Sequence, residues 1–274
     1  MKFKVETYTK EFTKKSNNHL YIAPPEALKR VVAHYTITFT NPDVEIPQNS
    51  VLHLIPDVSG CFVFHFFDDV SITVWGPTTK VVTVDNDLSH APCRFFVEFL
   101  PAGLYQILGM DMKNIQDKRV RLQDVNPTLF QEIYQALHEM TSFDEMVDFM
   151  NEILLREMKK HTVEDNVLDC IETIYREHEL VNGKGVASAL KMSERQLSRY
   201  FNRYVGMGIK KYSKIANVNH LLQHLSKQEL MDISFDYDYF DQAHFNHVFK
   251  EICETTPTHY LKNLSDFYNE LYKF

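Results

Sequence analysis

The stretch YFDQAHFNHVFK, residues 239 to 250, decides the reading of this chain, because its side chains separate into two faces only if it is helical. With Asp241 as the N-cap, Phe245 and Phe249 fall four residues apart on one face, while Gln242, Asn246 and Lys250 share another. Packing against a core explains the phenylalanines. A row of two amides and a lysine calls for a polar partner. His244 and His247 stand at i, i+3 with no third Cys, His or acid at ligand spacing, which makes a poor zinc site. His244 is expected inside and His247 outside, next to Asn246.

Upstream, a second segment repeats the design. VASALKM, 186 to 192, is a short helix with Val186, Ala187 and Leu190 turned inward, and SERQLSRYFNRY, 193 to 204, follows it. Ser193 and Gln196 form a capping-box pattern, the hydroxyl accepting from the third helical N–H while the amide reaches back. Leu197, Tyr200, Phe201 and Tyr204 then face a core, leaving Arg195, Gln196, Ser198, Arg199, Asn202 and Arg203 outside. Arginine forks for guanine, amides for adenine and cations for phosphate are what a major-groove helix needs. A solvated charged face is the bland alternative, and the second copy, with Ile233 and Phe235 on its supporting helix and Gln242, Asn246, His247 and Lys250 outward, weighs against it.

Charge sharpens the contrast between the copies. The chain of 274 residues carries a formal net charge of -8, yet Lys184 to Lys214 holds eight bases against the single acid Glu194. From Lys227 to Lys262 three lysines face seven acids. Phosphate attraction is therefore expected at the first unit.

These residues resemble the C-terminal DNA-binding domain of AraC-type transcriptional regulators. The likeness rests on Ala187, Ser193, Arg195, Leu197, Arg199, Phe201, Gly206 and Tyr212 in the first unit. In the second it rests on Ile233, Tyr239, Phe240, Asp241, Gln242, His244, Phe245, Phe249, Lys250, Pro257 and Tyr260, with DQAHFNHVFK followed by TTPTHY. It spans about residues 164 to 262 and implies seven helices, a long one near 210 to 225 joining the units. The chain departs from the pattern at Ser234, Asp238 and Glu254, where a small residue or glycine is usual, and at Asn217 and His247, where arginine is common.

The rest of the chain reads differently. PPEALKRVVAHY, 24 to 35, spaces Leu28, Val31, Val32 and Tyr35 as an amphipathic helix. Thereafter VLHLI, CFVFHFF, SITVW, KVVTV and RFFVEF are short β-rich runs broken by Pro, Gly, Asp and Asn. The expected fold class is α+β: an N-terminal antiparallel β-sandwich or cupin-like barrel with helices over residues 1–110, a helical connector over 111–162, and an all-α domain with two helix-turn-helix units over 163–274. Within the connector, Phe143, Met146, Val147, Met150, Leu154 and Met158 form a wide apolar stripe, either core or a dimer surface.

APPEALKRVVAHY, PDVSGCFVFHF, VWGPTT and FVEFLPAGLYQILG resemble the β-rich domain found ahead of this module in some bacterial regulators. That resemblance implies a small-molecule effector, for which Tyr35, His65, Trp75 and Arg94 are the candidate lining. The partners implied are double-stranded DNA, RNA polymerase, an effector and a second copy of the chain, so the expectation is an activator acting as a homodimer. No apolar run reaches the roughly 20 residues of a membrane span and MKFKVETYTK lacks a signal core, so no membrane is expected and a cytoplasmic location is. Cys61, Cys93, Cys170 and Cys253 are read as free thiols. The rival reading is a cupin-like metal-binding protein or enzyme with a helical appendage. It lacks an HxH motif, a zinc-hydrolase helix and a phosphate loop, so no catalytic residue, metal site or cofactor is assigned.

Overall fold

The computed structural model describes residues 3–40, 51–66, 70–85, 93–177, 180–224 and 242–262. Every β-rich run of the sequence is a strand. Seven strands form one antiparallel sheet in the order β1 (Lys14–Lys15), β2 (His19–Ile22), β3 (Val32–Phe39), β8 (Cys93–Phe99), β5 (Cys61–Phe66), β6 (Val70–Trp75) and β9 (Arg119–Arg121). β4 (Val51–Leu54) and β7 (Val82–Asp85) pair as a separate ribbon.

Alternation along β5 and β8 gives the sheet two unlike faces. Phe62, Phe64, Phe95, Val97 and Phe99 are fully buried on one of them. The helices α1 (Gly103–Leu108), α2 (Leu122–Val125), α3 (Pro127–Glu139) and α4 (Phe143–Glu157) complete this half. Phe143 of α4 sits at the centre of the apolar face, its ring 5.8 Å from Phe66, 6.1 Å from Phe95 and 5.2 Å from Phe3. The stripe of α4 is thereby used up inside the chain, with Phe143, Met146, Met150 and Leu154 at 0% exposure. Its reading as a dimer surface is corrected: the width of the stripe reflects a helix laid across a sheet.

Residues 24–35 are not the helix that their spacing suggests. Only Glu26–Leu28 makes a single 3-10 turn, and from Val32 the chain is β3. Leu28, Val31, Val32 and Tyr35 are all buried as expected, but β-branched valines next to an unpaired edge of β8 gain a full ladder of hydrogen bonds by extending. β9, inside the stretch expected to be a helical connector, caps the sheet by pairing with β6.

The C-terminal half is helical: α5 (Asp165–Glu177), α6 (Gly183–Ala189), α7 (Glu194–Tyr204), α8 (Ile209–His224), α9 (Gln242–Cys253) and α10 (Pro257–Lys262). The turn and supporting helix expected for the second unit, with Ile233, Ser234, Phe235, Asp238, Tyr239, Phe240 and Asp241, lie outside the described residues. Several contacts join the halves. Arg30 bonds Asp169 and Glu172 of α5 at 2.8 Å each, and Asn219 of α8 donates to the Pro56 carbonyl at 3.1 Å in a buried position.

Candidate nucleic-acid interface

Helix α7 is held by both its ends. At the start, Ser193 accepts from the Gln196 N–H at 3.2 Å and its own N–H donates to the Gln196 side-chain oxygen at 3.0 Å, completing the capping box. Along the inner face Leu197, Phe201 and Tyr204 are buried, Phe201 standing edge-on to Tyr212 at 5.6 Å. Tyr212 in turn donates to the Ile171 carbonyl of α5 at 2.9 Å. What remains outside is the set expected from the sequence: Arg195, Gln196, Ser198, Arg199 and Arg203 are exposed and Asn202 is half-buried.

Their hydrogen bonds divide this set. Gln196 spends its amide oxygen on the cap, and Asn202 donates to the Ser198 carbonyl at 2.7 Å. Bidentate adenine reading uses both atoms of an amide, so each amide is partly committed. Arg195 and Arg199 make no ion pair among the described residues, and Arg199 lies with its guanidinium 5.7 Å from the Tyr200 ring centre. Arg203 is engaged: its Nε stands 3.5 Å from Asp111 Oδ1, and its guanidinium lies 5.4 Å from the Tyr105 ring centre.

Helix α9 follows the same plan with less charge. Phe245 and Phe249 are fully buried and mutually edge-on at 5.6 Å, and Tyr260 of α10 closes on Phe249 at 5.7 Å. Asn246, His247 and Lys250 are exposed, with Gln242 and His244 half-buried. Glu251 draws two lysines of the basic island toward this unit: Lys214 at 2.8 Å, whose hydrogen bond holds the Glu251 carboxyl below its ordinary range, and Lys211 at 3.9 Å. Glu254, which stands where a glycine is usual before Thr-Pro, adopts φ +58° and ends α9 in a conformation that costs a side chain about 1 kcal/mol or more. Asn217, at a position where arginine is common, is buried within α8.

The four candidate effector residues do not converge. Across the sheet His65 stands directly opposite Arg94, and Trp75 lies on the same face two rows along. Tyr35 belongs to the opposite, apolar face, where its hydroxyl donates to Asn151 of α4 at 2.7 Å and its ring stacks on Phe95. Missed by sequence reasoning were the other members of the polar face, His19, His34, Thr36, Thr38 and Glu98, which the strand register aligns with His65 and Arg94. Alternation in HLYI and VAHYTITF carried the signal once β3 was recognised as a strand. Burial pushes the imidazoles of His19, His34 and His65 down to about 4, with the nearby Arg94 charge adding to the effect at His65. Trp75 is covered by the Arg119 guanidinium at 4.1 Å and borders a small pocket with Leu54, Ile55, Cys61 and Thr78. Among the described residues no three His, Cys, Asp or Glu side chains gather as a metal cluster, and no helix is long and apolar enough to cross a membrane.

The short helix α6 and the capped helix α7 with its outward arginine row form a helix-turn-helix unit, and α9 repeats the two-faced design of α7. Residues 186–263 match the family described as a helix-turn-helix domain, and residues 20–121 match one described as a domain of unknown function, DUF6597. The helix-turn-helix match covers the C-terminal part of the chain, behind the separately matched N-terminal region. No curated protein matches the sequence. Among solved structures, an apo variant of ToxT from Vibrio cholerae is 11% identical, with a TM-score of 0.44 over 84% of this chain and 98% of that one. Another ToxT structure from Vibrio cholerae is 10% identical, with a TM-score of 0.39 over 81% and 100% of the two chains. ToxT from the same organism with an unsaturated fatty acid bound is 12% identical, with a TM-score of 0.38 over 80% and 98%.

Proposed function

We propose that the chain reads double-stranded DNA by placing α7 in one major groove and α9 in the next, in the cytoplasm and under the control of a small molecule held by the N-terminal sheet. The observation that carries this reading is the exposed row Arg195, Arg199 on a helix whose cap and inner face are fully satisfied. Arg199 lies at mid-helix, where a fork can reach guanine, and Arg195 lies in the first turn beside the backbone. Asn246, His247 and Lys250 supply the second half-contact.

The polar face of the sheet supports the sensing role. A globular sheet with one face sealed by helices seldom lines its other face with three histidines, two threonines, an arginine and a tryptophan unless that face has a polar occupant. For pairing of two chains, the half-exposed ladder Phe130, Tyr134 and His138 on α3, with ring spacings of 5.4 and 4.4 Å, is the surface to examine in place of the α4 stripe. A regulator bound at a promoter acts on RNA polymerase, which is the protein partner this reading calls for.

The direct test is a mobility-shift titration of the full chain against the DNA upstream of its own coding region, with metal analysis of the same sample. Saturable, salt-sensitive binding lost on Arg199→Ala supports the reading. Stoichiometric metal without DNA binding would return the cupin-like alternative.

A further inference from the structure

We propose that the N-terminal half restrains DNA binding by holding Arg203 at the end of α7, with Asp111 standing in for a DNA phosphate. The inference rests on α7 being the reading helix. Arg195, Arg199 and Arg203 are spaced four apart and form one row. The first two have no ion-pair partner among the described residues, whereas the third meets the carboxylate of Asp111 at 3.5 Å. That carboxylate belongs to the segment just before the 3-10 turn Met112–Asn114, outside the helix-turn-helix domain.

The contact is one part of a docked surface. Tyr105 of α1 meets Tyr204 edge-on at 4.6 Å and lies under the Arg203 guanidinium at 5.4 Å. Immediately after α7, Gly206 takes φ +82°, and a β-carbon there would fall 2.9 Å from Pro77 Cγ and 3.1 Å from the Met112 carbonyl oxygen. The end of α7 is thus pressed against the sensor half at closest approach. Asp111 places a negative charge at the end of the arginine row, where a phosphate would otherwise lie, and so neutralises Arg203.

The pair is also built to exchange. Side-chain exposures of 48% for Arg203 and 57% for Asp111 leave it screened by solvent, so a phosphate can compete for the guanidinium. A short covalent route links it to the polar face of the sheet. β8, which carries Arg94, runs through Ala102 into α1, which carries Tyr105, and on to Asp111. A ligand that displaces β8 therefore moves the clamp on Arg203.

The experiment measures affinity and its salt dependence for the full chain on two duplexes, the DNA upstream of its own coding region and a mixed-sequence control. The variants are Asp111→Ala, Asp111→Asn, Arg203→Ala and the double variant Asp111→Ala with Arg203→Ala. Both Asp111 variants should bind both duplexes about two- to fivefold tighter at low salt, and the slope of log K against log salt should steepen by about 0.9, one phosphate contact. The double variant should bind no tighter than Arg203→Ala alone. Arg199→Ala in the wild-type background is the control. If it weakens binding while neither Asp111 variant changes affinity or slope, the restraint is overturned and the reading helix stands. An equal gain from Asp111→Ala in the absence of Arg203 would overturn it as well. If Arg199→Ala has no effect, the reading helix itself falls and the restraint with it. Asp111→Asn keeps the side-chain shape, so a folding defect confined to Asp111→Ala leaves the test in force.

Discussion

Helices α7 and α9 use the same plan on different ground. Each buries an aromatic and aliphatic face, Leu197, Phe201 and Tyr204 on α7 and Phe245, Val248, Phe249 and Ile252 on α9, and turns arginine, amide, histidine or lysine outward. The first, however, stands against the N-terminal half and within eight bases to one acid, whereas the second stands in a stretch with seven acids to three lysines. Glu251 even draws Lys211 and Lys214 toward the second unit. The difference separates two jobs that a paired reader must do. On the proposed reading, one unit would supply long-range attraction and receive the restraining contact, and the other would add local contacts with little pull of its own.

The largest expected effect concerns the ground under the first unit. His19, His34 and His65 titrate at about 4 in the folded chain because burial disfavours their charged forms, against an ordinary value of 6.5. Between those values the unfolded chain binds more protons, so stability is full above pH 6.5 and falls as the pH drops toward 4. By pH 5 each histidine should cost roughly 1 to 2 kcal/mol, and all three lie in the N-terminal sheet. Urea unfolding at pH 7 and pH 5 checks this. A midpoint unchanged between the two, or a loss undiminished in a His34→Gln, His65→Gln double variant that keeps only His19, would show that the sheet is not where acid acts.

Next in size is the arginine row proposed to contact bases. Arg199→Ala should cost roughly 1 to 3 kcal/mol of DNA affinity and relax specificity at one position, while Lys250→Ala on α9 should cost less and weaken all sequences alike. Equal losses at the two would erase the distinction between the units. Titration of both variants against one operator and its single-base variants decides it.

The docked end of α7 gives a smaller effect that can be set against a neighbour two residues away. Gly206→Ala puts a β-carbon into Pro77 and Met112 at a positive φ, and should cost more than about 1 kcal/mol of stability. Gly208→Ala meets nothing within 4 Å and should stay within about 0.5 kcal/mol. Thermal melts of the two variants that coincide would mean that the sensor half does not press on the first unit.

Much of this was legible in the order of residues. The capping box at Ser193 and Gln196 and the outward arginines follow from local spacing, and of the inward set Leu197, Phe201 and Tyr204 are buried while Tyr200 is half-buried at its edge. Strands β4 to β8 follow from β-rich runs bounded by turn residues. What escaped depends on partners far along the chain. Residues 24–35 fit a helical period, but the edge of β8 turned them into strand β3. The α4 stripe could not announce whether a sheet or a second chain would cover it. Nor could any local pattern tell that Arg203, identical in spacing to Arg195 and Arg199, meets Asp111 92 positions earlier. Side-chain type and period specify which face is wet; only the tertiary fold specifies what meets it.

The smallest expected effect tests the comparison most sharply. His247 is exposed on α9 beside Asn246 and Lys250, at a position where arginine is common in AraC-type domains. An imidazole offers at most one ring nitrogen to a phosphate or base edge, where a guanidinium offers a fork of several donors and a permanent charge. Around it the second unit is acidic, so whatever His247 contributes must come from contact and not from the field. His247→Ala should therefore cost under about 1 kcal/mol at pH 7 and barely alter the salt slope. His247→Arg should do the reverse, tightening binding and steepening the slope by about 0.9 through one added phosphate contact. Should His247→Ala instead prove as damaging as Arg199→Ala, α9 would carry the dominant base contact, and the division of labour between the two units would have to be reversed.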